Sequence, residues 1–538
     1  MRTLPVQFFS LIVTILITSA CSAPGLPNAL AVSIDQSGPV DLVEGGRLVL
    51  TATVAIVGGA SPGLVWSSDD PTVASIHGTT GLVTGVAPGF ARISVANAAD
   101  DTELDSVIVR VLRPMTITVD TTLGHRPSRT ARLPLRGDVD VAIDWGDGAG
   151  TTAVMSGDVT HTYAADGRYT VRISGSLTQF GAGAATSLQP SAAITSVDSW
   201  GDLGLRSLSG ALAGTQHLTS VPSSLPPTVT DLSHLFQRSE FDEPMIGSWN
   251  VSNVTDMSSM FRQSAFDQAI EGWDVANVTD MSSMFLDGRF NHPLGAWDVS
   301  SVRSMRSMFG GLDHGSRFDR PIGGWDVSNV TDMSGMFAWS AFDQDIGSWD
   351  VSNVEDMSWM FAEADFRSHP IAAWNVGRVI DMSGMFFNAP GFNQDIGRWD
   401  VSNVTDMSWM FGGHDDAGTG FNRDLDEWDV SKVTNMRGMF ANSAFNGRIV
   451  AWDVSKVTDM SHMFRGASGA SRFDQDISGW DVSSVTAMDG MFDTASEFNQ
   501  DLSRWCVINV TVEPPDFATR ADSWNLGKPN WGHCPNRD

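Results

Sequence analysis

The chain is short of positive charge, of cysteine and of tyrosine. It carries 33 Lys and Arg against 63 Asp and Glu, a formal net charge of −30 over 538 residues. That balance argues against a nucleic-acid partner, because a polyanion is repelled and few cations are present to release counterions. It suits a soluble surface exposed to salt, or one that collects cations. Only three cysteines occur, Cys21, Cys506 and Cys534, and only two tyrosines, Tyr163 and Tyr169. After the first twenty residues no apolar run is long enough for a membrane-crossing helix. The signatures of catalysis are missing as well: there is no Gly-rich phosphate loop, no His-Glu-x-x-His and no Gly-x-Ser-x-Gly. The 11 histidines lack ligand spacing, and acidic pairs recur with a period where a glycosidase would hold one singular pair. No enzyme and no cofactor is expected.

The one early apolar run, 6–17 behind Arg2, reads as a secretion signal too short to span a bilayer. Thr18-Ser19-Ala20-Cys21 follows it and resembles a bacterial lipobox. The resemblance implies that Cys21 becomes a lipidated N-terminus, anchoring the mature chain in the bacterial membrane and placing it on the outer membrane or cell surface. Thr18 stands where that motif usually has an aliphatic residue, and plain cleavage to a secreted protein is the competing reading. With Cys21 lipidated, Cys506 and Cys534 remain to pair, as expected for an exported chain. A bridge across that separation is worth roughly 3.5 kcal/mol by loop entropy. Residues 22–28 form a short tether.

From 29 to 113 apolar and polar residues alternate, as in Leu48, Leu50, Ala52 and Val54 or Val107, Val109 and Val111, with turn signals between. The run Val65-Trp66-Ser67-Ser68, then Val73-Ala74-Ser75-Ile76 and Gly81-Leu82-Val83-Thr84-Gly85, resembles the bacterial immunoglobulin-like domains of group two. That resemblance implies a β-sandwich of the kind used as a stalk on surface proteins. A second β module, 114–176, contains Asp144-Trp145-Gly146-Asp147-Gly148 and His161-Thr162-Tyr163. These residues resemble the PKD family of extracellular sandwiches, and His161 is assigned a packing role because no second His or Cys lies nearby. Residues 177–230 are a transition with a degenerate first coil.

What the chain has in abundance is one phrase, fullest as Trp349-Asp350-Val351-Ser352-Asn353-Val354 with Asp356-Met357-Ser358 and Met360-Phe361. Its opening tryptophans stand at 249, 273, 297, 325, 349, 374, 399, 428, 452, 480 and 505. A period in the twenties means one small unit stacked many times, with neighbours burying each other's apolar face. Ile346-x-x-Trp349-x-Val351 has the spacing of a short strand, and the interval of three from Val354 to Met357 to Met360 predicts a 3₁₀ or single helical turn capped by Asp356. Over 231–505 the phrase resembles the BspA-like leucine-rich-repeat surface proteins, some of which are adhesins. The expected architecture is therefore mainly β and multidomain: two sandwiches, then a leucine-rich-repeat-like solenoid of short parallel strands and helical turns. Residues 506–538, with Pro514, Pro515, Trp524 and Trp531, read as a disulfide-closed cap.

Two features of the repeats face outward. The residue between Trp and Val forms a column of Asp274, Asp298, Asp326, Asp350, Asp400, Asp429, Asp453 and Asp481. Repulsion along it is offset by hydrogen bonds from neighbouring Ser and backbone N–H groups, or by a bound cation or basic partner. Calcium would need several oxygens converging on one point, which a linear ladder does not guarantee. Three repeats are lengthened at one place, by 310–315, 412–417 and 466–471, and these insertions are either a binding edge or drift-tolerant loops. Asp313, His314, His414, Asp415 and Asp416 are the candidate loop residues. The expected function is adhesion, through a protein or glycan ligand on another cell or matrix. The alternatives are a passive spacer and, more weakly, a hydrolase with a concealed site.

Overall fold

The computed structural model describes residues 30–535 apart from 57–62, 99–101, 124–128, 156, 185–192, 313–314, 415–418 and 467–470. The chain divides into two compact units after Leu112. The first carries strands β1 (Leu30–Ile34), β2 (Val40–Val43), β3 (Arg47–Val49), β4 (Ala52–Ile56), β5 (Leu64–Ser68), β6 (Ala74–Ile76), β7 (Leu82–Gly85), β8 (Gly89–Asn97) and β9 (Glu103–Leu112). They form sheets ordered β2-β9-β8-β5, β3-β7-β6 and β1-β4, with β2 parallel to β9 and the other pairs antiparallel. Alternation decides the interior: Ile93, Val95, Val109 and Val111 share it with Trp66, Ala74 and Val83. An immunoglobulin-like β domain fits this unit.

The second unit begins with β10 (Met115–Asp120), β11 (Thr130–Leu133), β12 (Leu135–Asp144), β13 (Thr151–Val154), β14 (Val159–Thr162), β15 (Arg168–Phe180) and β16 (Ile194–Ser199). Five make an antiparallel sheet, β13-β12-β15-β10-β16, and β11 pairs with β14. β15 runs through position 176, where the sequence reading placed a boundary, and β16 joins the same sheet. The turn after β12 needs glycine at 146, where φ is +77° and a Cβ would meet the Thr170 carbonyl oxygen at 2.4 Å. His161 is a packing residue here. It stacks on Trp145, meets Tyr163 edge-on and lies 2.7 Å from Asp147 Oδ2. Burial pushes the Tyr163 hydroxyl above its usual range, and that hydroxyl donates to the Trp145 carbonyl.

From Gln179 in β15 a ladder of single parallel bridges runs through Ser207, Asp231, Asp256, Asp280, Ser304, Asp332, Asp356, Asp381, Asp406, Asn435, Asp459 and Ala487. Each coil adds one rung, and one apolar core continues from Met115 to Trp524. The expected solenoid of short strands and helical turns is not what the repeats form. No strand is present at Ile346–Val351, and among the described residues the only helical segment is the 3₁₀ turn Pro244–Ser248. The backbone explains the difference. Val354 N–H bonds the Val351 carbonyl, Met360 bonds Met357, and Ala364 bonds Phe361, so the coil is a chain of tight turns. Between them Met357, Trp359, Phe361 and Glu363 donate instead to Asp381, Ser383, Met385 and Phe387 of the next coil. Trp359 and Glu363 sit at φ +57° and +56°, the third position of a turn where a left-handed residue is required. A left-handed residue every fourth position breaks any helix.

Side chains then bind coil to coil. Phe236, Phe261, Phe285, Phe309 and their successors to Phe492 stack with centroids 5.7 to 6.0 Å apart. Most core tryptophans donate Nε1–H to a carbonyl of the preceding coil, as Trp349 does to Ile322 at 3.2 Å. Asn277, Asn329, Asn353 and Asn403 donate from Nδ2 to the preceding coil's backbone at 2.7 to 2.8 Å. An asparagine ladder therefore exists one residue before Val354. Beyond the last coil Phe517 and Trp524 meet Phe492 edge-on, ending the stack, and Cys506 is bonded to Cys534.

Candidate functional site

Each member of the outer acidic column closes its own turn, and all are exposed except Asp481, which is half-buried. Asp298, Asp350, Asp400 and Asp453 accept the backbone N–H two residues on, at 3.0 to 3.1 Å, and Asp274, Asp326, Asp429 and Asp481 do the same at 3.0 to 3.3 Å. The hydroxyls and N–H groups of Ser300, Ser352 and Ser431 hold Asp298, Asp350 and Asp429 below the ordinary carboxylate range. The turn residue that follows each aspartate thus supplies the offset to its charge.

A second column lies on the bridge ladder itself, half-buried. Asp256, Asp332, Asp356, Asp381 and Asp406 each accept the N–H of the serine two residues on, at 2.8 to 2.9 Å. Here the shift is reversed. Burial raises Asp256 and Asp381, and the neighbouring charges Asp231 and Asp280, or Asp356 and Asp406, add to it. Asn435 interrupts the row and donates to Asp406 Oδ2 at 2.9 Å. Among the described residues no three His, Cys, Asp or Glu side chains converge as a metal site.

The predicted loop residues divide. Asp313, His314, Asp415 and Asp416, like Cys21, lie outside the described residues. His414 is exposed, and its Nε2 lies 2.6 Å from Glu363 Oε1. Asn388 donates to the other oxygen, Oε2, at 2.6 Å. Three successive coils are thereby tied at one corner, and His414 stands edge-on to Phe387 at 5.1 Å.

Beside that corner lie residues that the sequence reading passed over. The variable position of Ser-x-Met-Phe is Gly335, Trp359, Gly384, Trp409, Gly438, His462 and Gly490 in successive coils. All have φ near +60°. Each ring occupies the space a Cβ would need on the next coil's glycine: Trp359 over Gly384 at 2.5 Å, Trp409 over Gly438 and His462 over Gly490 at 2.6 Å. Phe387 fills the gap between the two indoles, 5.5 Å from Trp359 and 6.0 Å from Trp409. The three rings are half-buried, and Trp339 nearby is 39% exposed. The alternation of ring and glycine from Gly335 onward, after His234, Ser259, Ser283 and Ser307 in the earlier coils, was the available signal. In earlier coils, a cleft of about 560 Å³ across four coils is lined by Arg238, Arg289 and Arg317 together with Glu240 and Asp287.

Comparison with known proteins places these coils. The family model described as Mycoplasma protein of unknown function, DUF285, matches residues 225–317, 311–419 and 414–525. The model described as bacterial Ig-like domain (group 2) matches 30–105. No PKD or leucine-rich-repeat model matches. Among curated proteins none matches the chain.

Proposed function

The chain belongs to the DUF285 family, and on that premise we propose that it is a non-catalytic bacterial surface protein that adheres through the outward face of its coils. Its bacterial immunoglobulin-like domain and its repeats are typical of extracellular or surface proteins of bacteria. One observation carries the step to adhesion. The inward positions hardly change from coil to coil, while half-buried rings stand at positions where adjacent coils have glycine. A spacer needs only the constant part. The anchor is the lipid on Cys21, and the module at 114–176 is of the PKD type.

The test uses the full chain from residue 22, fluorescently tagged, on epithelial cells and on immobilised matrix proteins. Saturable binding, competed by untagged protein, is expected. No binding to any surface would leave the spacer, and hydrolysis of a surface glycan would replace both readings with an enzyme. In the producing bacterium, labelled palmitate should enter the wild-type chain and be lost in C21A. Equal labelling of both would remove the anchor from this reading.

A further inference from the structure

We propose that Trp359, Phe387 and Trp409, rimmed by Glu363, Asn388 and His414, form a binding site for a neutral glycan chain. The inference deepens the adhesive reading and rests on it. The phrase-opening tryptophans are interior, and most of them bond the preceding coil through Nε1–H. Trp359 and Trp409 do neither: they are half-buried, and their Nε1–H groups have no partner among the described residues. Their backbone holds φ at +57° and +59°, a conformation that glycine adopts without strain and that Gly335, Gly384 and Gly438 occupy in adjoining coils. The indoles are thus present against local preference. They are also held still, because each is seated on the backbone of the next coil. A platform ordered before binding loses little freedom when a ligand arrives.

The chemistry of the surface selects the ligand. A pyranose offers an apolar face of C–H groups that stacks on an electron-rich ring. Its hydroxyl edge needs donors and acceptors beside that ring, and here they are a carboxylate, an amide, an imidazole and two indole N–H groups. Glu363 holds Asn388 and His414 at 2.6 Å each, which orients the rim. The rings follow one another at 5.5 and 6.0 Å across three coils, with Phe387 turned 56° from Trp359 and 81° from Trp409, so a chain of sugars meets two indoles with the differently inclined phenyl ring between them. Three half-buried rings present roughly 300 Å², well below the ~800 Å² per partner of a standard protein interface. A net charge of −30, with Glu363 in the rim, disfavours acidic sugars.

The experiment is calorimetric titration of the full chain from residue 22 with cellohexaose, xylohexaose, mannohexaose and the hexamer of N-acetylglucosamine. The comparison is W359G/W409G, which introduces the residue that neighbouring coils already carry at this left-handed position and so keeps the fold. Wild type should bind at least one hexasaccharide saturably, and the double variant should bind it at least tenfold more weakly with an unchanged thermal transition. Binding of none of the four, or equal binding by the variant, overturns the site. Adhesion to cells that no hexasaccharide competes but that W359G/W409G loses would assign the rings to a protein partner. That result overturns the glycan and leaves the adhesive reading standing, whereas a wild type that adheres nowhere removes the adhesive reading itself.

Discussion

The immunoglobulin-like unit and the repeat stack solve the same problem with opposite means. In the first, β8 and β9 pair over eight registered positions, and alternation along each strand sends every second residue inward. In the second, successive coils share one bridge residue, and the backbone between bridges is a succession of turns. Cohesion there is shared: backbone N–H groups such as those of Met357, Trp359, Phe361 and Glu363 donate to the next coil, and columns of phenylalanine, tryptophan Nε1–H bonds and the asparagine ladder add to them. The lesson is that a period in a sequence reports which side chains are packed together, and reports much less about the backbone that delivers them.

That contrast predicts where each region breaks. Phe361 is fully buried and stacks on Phe337 and Phe386 at 5.8 Å each, so F361A removes one member of a column and leaves a cavity. The expected loss is about 3–5 kcal/mol. In calorimetry the transition of the repeat unit should fall and that of the immunoglobulin-like unit should stay, because the two are separate compact units. A parallel fall in both transitions would mean that they unfold together. The asparagine ladder is the milder probe: N353A removes the Nδ2–H bond to the Ser328 carbonyl, 2.7 Å long, and the exposed Arg378 bond to Oδ1 at 2.8 Å, and should destabilise by about 1 kcal/mol. An N353A chain as weakened as F361A would mean that the hydrogen-bond ladder, and not the rings, holds the coils.

The interior of the repeats was legible because Trp, Val, Met and Phe recur at fixed offsets, and all of them are buried. The β character of 29–113 was legible for the same reason at period two. The backbone was not. Trp349 and Val351 two apart match a strand, and Val354, Met357 and Met360 three apart match a helix, yet turns of three and four residues put side chains on one side at the same offsets. Glycine would have marked the left-handed positions, but Trp359, Glu363 and Asn388 fill them. The outer aspartates were visible as a column, while their role as turn acceptors needed the serine two residues later to be read with them. The aromatic shelf was hidden by treating the x of Ser-x-Met-Phe as free, when its alternation with glycine was the pattern.

The finest test sets the two acidic columns against each other. Asp381, on the buried ladder, has its carboxyl raised by burial and by the charges of Asp356 and Asp406. A raised carboxyl means that the fold binds the proton more tightly than the unfolded chain, so ionisation destabilises. That penalty is complete above the raised value and fades as pH falls through it toward the ordinary carboxylate range. D381N removes the charge and keeps an oxygen for the Ser383 N–H, as Asn435 does for Arg437 at 3.1 Å. It should stabilise by about 0.5 kcal/mol at pH 7, a figure discounted for partial exposure, and the gain should shrink on acidification. Asp350, on the exposed column, is lowered by the Ser352 hydroxyl and N–H, so its contribution is present above the ordinary carboxylate value and lost as pH falls below it. D350N should therefore weaken the fold by roughly 0.3 kcal/mol at neutral pH, with the deficit closing only in stronger acid. Urea unfolding of both variants at pH 7, 5 and 3 separates the columns. Changes of the same sign would show that burial does not distinguish the two rows, and that their carboxylates share one environment despite facing different ways.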